Sequence, residues 1–366
     1  MAKFNLAKKI SASVSKLSGY VPGEQPEGGG WVKLNTNEFP YPPSPKAARA
    51  VAAELGKDAA KLRLYPSPDS RGLRAAAAKY YGLKPEFAFA ANGSDDALNL
   101  IIRAFADGEK SVATLEPSYS LYPVLSKMQG AKFVRIPFGK NLSIDVSKIA
   151  SSGANLFFFT NPNAPTGFGF GREIVEEIAS RFDGIVVVDE AYAPFSGATS
   201  AKLVEKFKNL IVVGTSSKGW GLAGMRIGWA FADPSIIEVL DRVRDSYNLD
   251  RLAQAAGAAA IGDEKYYAPL RAEIVSEREK VQEFFDSLGW RYFKSSSNFV
   301  FFKPSKNGKF GARAAADLFA YLKSKKILLR YFASDKSVSD GIRMTVGTPA
   351  QMEIFKKAAL KWSKGK

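Results

Sequence analysis

The sequence predicts an α/β protein, with a mostly parallel central sheet in a large domain and a smaller α+β domain after it. Three observations carry this. Between residues 31 and 245, short apolar runs alternate with segments of helical period. The runs are continuous and β-branched, as in "GIVVVDEAY" and "NLIVVGTSSK", the pattern of strands buried on both faces. Each run stops at polar or glycine-rich residues, the edge where open α/β sheets hold ligands.

The elements follow in order. Residues 1–20 are basic and weakly amphipathic and lack an apolar signal core, so they read as a first helix of the fold, with a transit peptide as the alternative. The stretch "GYVPGEQPEGGGW" then reads as an arm laid over the body, closing a segment 1–30. Strand, turn and helix are expected in "FAFAANGSDDALNLIIRAFA" and again in "SVATLEPSYSLYPVLSKM". "NLFFFTNPNAPTGFGF" precedes the helix "REIVEEIASRF". The run Leu210–Val213 is expected to stop at Gly214. A long helical segment from about 234 to 288 then leads to "NFVFFKP", "ILLRYF" and "IRMTVGT", strands of the smaller domain over 246–366.

Composition removes whole classes of chemistry. The 366 residues include neither cysteine nor histidine, so thiolate nucleophiles, disulfides, histidine triads and histidine- or cysteine-bound metals are excluded. Proton transfer falls to Lys, Tyr, Asp or Glu, and no metal site is expected. The net charge of +16 suggests an anionic ligand. The basic residues are scattered rather than interleaved with aromatics, so no nucleic-acid partner is expected, and no run is long enough to span a bilayer.

The loops that end the strands carry the functional signal. Gly93 and Ser94 open a helix whose N-terminal amides suit a phosphate at Ser94–Asp95, although Ser and Asp there also serve as ordinary caps. Tyr119 is either a rim aromatic or a platform for a flat ligand. "TNPNAPTG" offers asparagine side chains in a rigid turn. Asp189 follows a wholly apolar strand, where a carboxylate is costly without a balancing cation. Lys218 sits between "TSS" and "GWGLAGMRIG", again where a charge is costly. Together these supply an anion cup, an aromatic platform, a buried carboxylate, a tyrosine, hydroxyls, a lysine and an arginine. That set suits pyridoxal 5'-phosphate, which needs an amine for its aldehyde, an anion for its ring nitrogen and donors for its phosphate.

On "GYVPGEQP", "LNTNEFPYPPSP", "RLYPSPDS", "NGSDDALNLIIRAF", "PSYSLY", "NPNAPTG", "VVVDEAY", "TSSKGWGLAGMRIG" and "GIRMTVGT", the chain resembles the class I/II aminotransferases with the PLP-dependent transferase fold, and within them the histidinol-phosphate aminotransferases, over nearly its whole length. The resemblance implies a large cofactor domain over 31–245 and a cytoplasmic homodimer with shared active sites. It also implies a small-molecule amino donor and a 2-oxo acid as substrates. Lys218 would carry the cofactor as an imine and then shuttle the proton. Asp189 would pair with the ring nitrogen, Tyr192 with the ring hydroxyl, and Tyr119 would stack on the ring. Ser94, Asp95, Thr215, Ser217 and Arg226 would hold the phosphate, joined by Tyr65 from the neighbouring subunit.

Arg343 would grip the substrate's anionic end with Arg330 and Tyr20, and Asn37 would contact substrate. For Arg330 an ordinary surface role is the alternative. Two departures stand out. Ala164 occupies the place of an asparagine that touches the ring hydroxyl in the family, so either Asn163 takes over, which is the expectation, or the contact is lost. Phe39 stands where asparagine is more usual. Related readings are an aromatic amino-acid aminotransferase and an O-phosphothreonine decarboxylase on the same scaffold; one of another class is a non-enzymatic PLP-sensing regulator.

Overall fold

The computed structural model describes residues 4–15 and 17–365. Its strands are β1 (Val32–Lys33), β2 (Ala88–Ala91), β3 (Ser111–Glu116), β4 (Lys132–Pro137), β5 (Leu156–Thr160), β6 (Ile185–Asp189), β7 (Leu210–Thr215), β8 (Gly228–Ala232), β9 (Arg291–Tyr292), β10 (Phe299–Lys303), β11 (Ile327–Leu328), β12 (Arg330–Tyr331) and β13 (Ile342–Thr345). A seven-stranded sheet runs in the order β2-β8-β7-β6-β5-β3-β4. Its neighbours are parallel except at β8, which is antiparallel to both β2 and β7.

Side-chain alternation explains the continuous apolar runs. Phe157, Phe159, Val186, Val188 and Val212 join the core on one face, while Phe158, Val187, Ile211 and Val213 join the core on the other. Each such side chain contributes about 1.5–3 kcal/mol by leaving water. The helix Ser94–Phe105 covers one face with Leu98, Ile101 and Ile102.

Direction matters more than burial for function. With β8 reversed, the C-terminal ends of β2, β3, β5, β6 and β7 share one edge, and the residues that enter β8 arrive at that same edge. The smaller four-stranded sheet, β12-β13-β10-β9, is antiparallel. A two-stranded parallel pair, β1 with β11, ties residues just beyond the arm to the C-terminal part of the chain.

Four expectations need correction. Strand β7 continues through Gly214 and Thr215, because these pair with Trp229 and Gly228 of β8. Gly214 is there because a Cβ would strike the Trp229 indole. The long helical segment is three helices, Pro234–Val243, Arg251–Ile261 and Glu264–Ser287; Asp250 caps the second through the Ala253 amide. "ILLRYF" splits at Leu329 into β11 and β12, which belong to different sheets. At the N-terminus the expected helix is reduced to a turn at Leu6–Lys8 and four helical residues, Ala12–Ser15, none buried, with Phe4, Leu6, Ile10 and Val14 exposed. Residues 1–3 and Lys16 of that expectation lie outside the described residues.

The arm is pinned across the body by Arg330, whose Nη1 and Nη2 donate to the carbonyls of Pro22 and Val21 at 3.1 and 3.0 Å. Asn35 Nδ2 adds a bond to Glu24 O at 2.7 Å.

Gly228 marks where β8 meets the turn after β2. A Cβ there would fall on the backbone of Gly93 and Ser94, which cannot yield as a flexible side chain would. Gly228→Ala is expected to destabilise the protein by about 1–3 kcal/mol, read as a lower midpoint in urea unfolding.

Candidate active site

A cavity of about 300 Å³ opens at the carboxyl edge of the large sheet, at the small end of the range of roughly 300–1,000 Å³ for small-molecule sites. Lys218, Ser94, Asp95, Tyr119, Asp189, Tyr192, Thr215, Ser217 and Arg226 all line it, as do Tyr20, Asn37, Arg330 and Arg343. They come from six strand ends, the arm and the small sheet, which is why no single sequence window contains the site.

Lys218 lies in the helical turn Ser216–Gly219 directly after β7. Its Nζ donates to the Thr36 carbonyl at 3.0 Å. Burial, reinforced by the charge of Arg343, brings the amine down to about 8. Glu38, which is ion-paired with Lys33, and Asp95 pull the other way.

Asp189 ends β6 and is 3% exposed. Its Oδ2 accepts from Tyr122 Oη at 2.9 Å and its Oδ1 from the Ala191 amide at 3.1 Å. Burial pushes the carboxyl up to about 6 against those two donors. Asp189 has no carboxylate-to-cation pair within the described residues, so a cation placed in the cavity would relieve it. Glu190 faces the other way and bonds Thr199 Oγ1 and the Ser200 amide; it shapes the following loop.

An anion cup lies beside them. The helix Ser94–Phe105 has Gly93 at its N-cap, with no side chain capping the first turn, so its leading amides stay available. Gly93 has φ +89°, and a Cβ there would sit 2.6 Å from Arg226 Nη2. Glycine is therefore required for the guanidinium to lie against the helix start. Arg226 itself adopts φ +51°, a conformation costing a non-glycine residue on the order of 1–3 kcal/mol. Thr215 caps the lysine turn, accepting from the Ser217 amide at 3.1 Å and bonding Ser217 Oγ at 3.0 Å. The Asp95 carboxylate is occupied by Tyr119 Oη at 3.2 Å and by Arg226 at 3.8 Å.

Aromatic walls close the space. Tyr119 meets Tyr20 edge-on at 6.0 Å, and burial pushes its phenol well up. Tyr192 Oη accepts from Asn37 Nδ2 at 2.9 Å, so the phenol proton is free to point elsewhere. Asn37 is held in turn by Thr345 and Asn298 at φ +55°.

At the far side Arg330 and Arg343 face each other across β12 and β13. Like charges in directly opposite positions repel, and neither has a carboxylate partner among the described residues. Arg343 is half-buried: its Nη2 donates to the Asn35 carbonyl at 3.3 Å, its enclosed Nε has no acceptor, and desolvation pulls its guanidinium below the usual range. Arg330 has spent both terminal nitrogens on the arm, so it offers the cavity mainly its charge.

Two expected residues lie elsewhere. Asn163 does not line the cavity: its Nδ2 donates to Pro117 O at 3.1 Å and its Oδ1 accepts from Thr166 Oγ1 at 2.7 Å. It stabilises its own turn and cannot take over for Ala164, which does face the cavity. Tyr65 is 76% exposed and stacked on Tyr247 at 4.4 Å, away from its own chain's cavity. Residues that sequence reasoning missed are the Thr36 carbonyl, Glu38, and the pair Tyr122 and Thr160 behind Asp189. Thr160 comes to light only through the strand register, which sets the last residue of β5 opposite the last of β6.

These residues fit pyridoxal 5'-phosphate on their donor chemistry: free amides and a guanidinium for a dianion, a buried anion without a cation, an amine lowered towards neutrality and flat walls. The chain matches the model of the family "Aminotransferase class I and II" over residues 29–358. It is 45% identical over 345 residues to the histidinol-phosphate aminotransferase of Geotalea uraniireducens (strain Rf4), covering 94% of this chain and 96% of that one. Its fold is similar to that of histidinol-phosphate aminotransferase from Sinorhizobium meliloti in complex with pyridoxal-5'-phosphate, with TM-score 0.83, 23% identity and 91% of each chain covered. It is similar also to L-threonine-O-3-phosphate decarboxylase from Porphyromonas gingivalis, with TM-score 0.76, 21% identity, and 91% and 99% covered.

In the ligand-free protein, reductive methylation of Lys218 is expected to reach half its limiting rate near pH 8 rather than the 10.5 of an ordinary lysine. Peptide mass spectrometry across a pH series would check this.

Proposed function

Because the chain belongs to the aminotransferase class I and II family, we propose that it is the transaminase that converts histidinol phosphate and 2-oxoglutarate to imidazole acetol phosphate and glutamate, and the reverse, in histidine biosynthesis. The observation that carries the substrate choice is the unneutralised arginine pair, Arg330 opposite Arg343. Two cations held together without a carboxylate suit a phosphate monoester better than a lone carboxylate. The names of the full-length relatives agree with it.

Pyridoxal 5'-phosphate supplies, when bound, an aldehyde that condenses with amines and a ring that draws off electrons. In this reading the chain's residues have distinct tasks. The Ser94 and Asp95 amides, Thr215, Ser217 and Arg226 hold the cofactor phosphate, with Tyr65 reaching in from the partner subunit. Asp189 keeps a proton on the ring nitrogen by staying ionised beside it. Tyr192 donates to the ring oxygen, and with Ala164 opposite it carries that contact without an asparagine. Tyr119 and Tyr20 cover the site against water. Lys218 takes and returns the substrate proton. An amine at about 8 is roughly a tenth neutral at pH 7, against less than about a thousandth for an ordinary lysine. Arg343, helped by the charge of Arg330, fixes the far end of the substrate, and Asn37 sets the wall between.

The division into an arm over 1–30, a cofactor domain over 31–245 and a small domain over 246–366 belongs to this reading. So does a cytoplasmic homodimer. Leu62, Leu64, Tyr65 and Tyr247 form an exposed apolar patch, and a second copy seated there would bring Tyr65 to the neighbouring cup.

Four measurements test the reading. Lys218→Ala is expected to abolish turnover and to remove the borohydride-fixed cofactor label from this position. Mixed separately with histidinol phosphate, phenylalanine and O-phosphothreonine, the holoenzyme is expected to convert its cofactor to the amine form fastest with the first. Rapid reaction with phenylalanine alone would defeat the substrate assignment, and release of carbon dioxide from O-phosphothreonine would point to the decarboxylase. Arg343→Met is expected to raise KM for histidinol phosphate by about tenfold or more, the loss of a charged hydrogen bond worth roughly 1.5–3 kcal/mol. For the dimer, Tyr65→Ala subunits mixed with Lys218→Ala subunits are expected to regain turnover in the hybrid, which contains one complete site.

A further inference from the structure

Tyr122 does not line the cavity, but it touches three residues that do, Asp189, Thr160 and Tyr119. It is wholly buried at the start of the helix Tyr122–Met128, with its ring tilted on Phe158 at 4.8 Å and edge-on to Tyr119 at 5.5 Å. Its Oη lies 2.9 Å from Asp189 Oδ2 and 2.9 Å from Thr160 Oγ1. The register of β5 and β6 places Thr160 directly opposite Asp189, so all three groups meet at the sheet's edge.

Proton counting fixes the polarity. An ionised carboxylate only accepts, so the single phenol proton of Tyr122 goes to Asp189. Thr160 must then donate to Tyr122, which polarises the phenol and strengthens its own donation. The other carboxylate oxygen is held by the Ala191 amide. With both oxygens tied from behind, the carboxylate cannot rotate about its last bond.

We propose that Tyr122, supported by Thr160, is the residue that positions Asp189: the one-way chain Thr160 to Tyr122 to Asp189 locks the carboxylate plane and holds its free lone pairs towards the cavity. The assignment rests on the reading of Asp189 as partner of a ring nitrogen for its purpose, but not for its geometry. Tyr122 is a positioning residue, since it reaches neither cofactor nor substrate. In a chain with no histidine, a phenol can donate one strong bond here without itself ionising; burial keeps its proton on.

The charge environment sets the direction of the effect. Asp189 is faced by Tyr122 from the helix, by Tyr119 from the loop before that helix, by Asp95 from the helix after β2, by Lys218 from the turn after β7 and by Tyr192 from the turn after β6, while the neighbouring Glu190 carboxylate is turned to Thr199 and Ser200. Burial raises it and the Tyr122 bond is the foremost influence lowering it. Removing the phenol proton therefore favours the neutral acid, which cannot balance a protonated ring.

Tyr122→Phe keeps the ring packing and deletes only the donor. In ligand-free protein labelled with carbon-13 at aspartate carboxyls, the Asp189 resonance, assigned with Asp189→Asn, is expected to titrate near pH 6 in the parent. Its midpoint should move up by about one pH unit in Tyr122→Phe, the worth of a hydrogen bond to a charge. Thr160→Val should move it the same way by less. In the holoenzyme, Tyr122→Phe is expected to bind pyridoxal 5'-phosphate about tenfold more weakly and to shift the acid limb of kcat/KM upwards. An Asp189 midpoint unchanged in Tyr122→Phe would overturn the proposal, as would weaker cofactor binding with no shift of the acid limb. If the parent bound no pyridoxal 5'-phosphate at all, the functional reading would fall while the carboxyl titration still decided the role of Tyr122.

Discussion

Charge held out of water without an equal charge beside it is the constraint that organises this molecule. Lys218, Asp189 and Arg343 are all enclosed at one edge of the large sheet, and desolvation costs each several kcal/mol. An isolated domain selected for stability alone would replace them with apolar residues of similar size. The backbone around them is arranged to keep the three apart yet facing one space: β6 ends at the carboxylate, β7 leads into the amine, and β13 carries the guanidinium in from the other sheet. A ligand that brings an anion to the arginines, a cation to the aspartate and a carbonyl to the lysine satisfies all three at once. The phosphorylated cofactor and phosphorylated substrate of the proposed reaction do so.

Much of the fold was legible because its signals are local. Runs such as "IVVVD" and "LFFFT" leave no polar face for any alternative to two-sided burial, and the parallel sheet follows. The polar residues after each run were legible for the same reason, since they stand out against apolar neighbours. What sequence reasoning missed depends on register and partner choice. Strand β7 runs past Gly214 because β8 pairs with it there, and nothing within "VVGTSS" reveals that partner. Asn163 was expected in the cavity from its place in the turn, yet its amide is consumed by Thr166 and Pro117, groups on and beside the same loop. Tyr122 and Thr160 become visible only when the fifth and sixth strands are laid side by side.

The arm shows the same division. Its proline- and glycine-rich sequence announced an extended segment, but the residue that pins it, Arg330, lies some three hundred positions later. That arginine thus joins two tasks, fastening the covering segment and charging the far wall of the cavity. Any group that draws on its charge also bears on how firmly the arm is seated.

The reversed strand has a consequence for how the polypeptide matures on the ribosome. Strand β2 and the amides after it are made early, but their one neighbour in the sheet among the described residues is β8, which emerges well over a hundred residues later together with Arg226. Until then the early strand lacks that partner and the anion cup lacks Thr215, Ser217 and Arg226. With the proposed site assignment, vitamin B6 capture is a late event of synthesis, and a truncated nascent chain gains no protection from it.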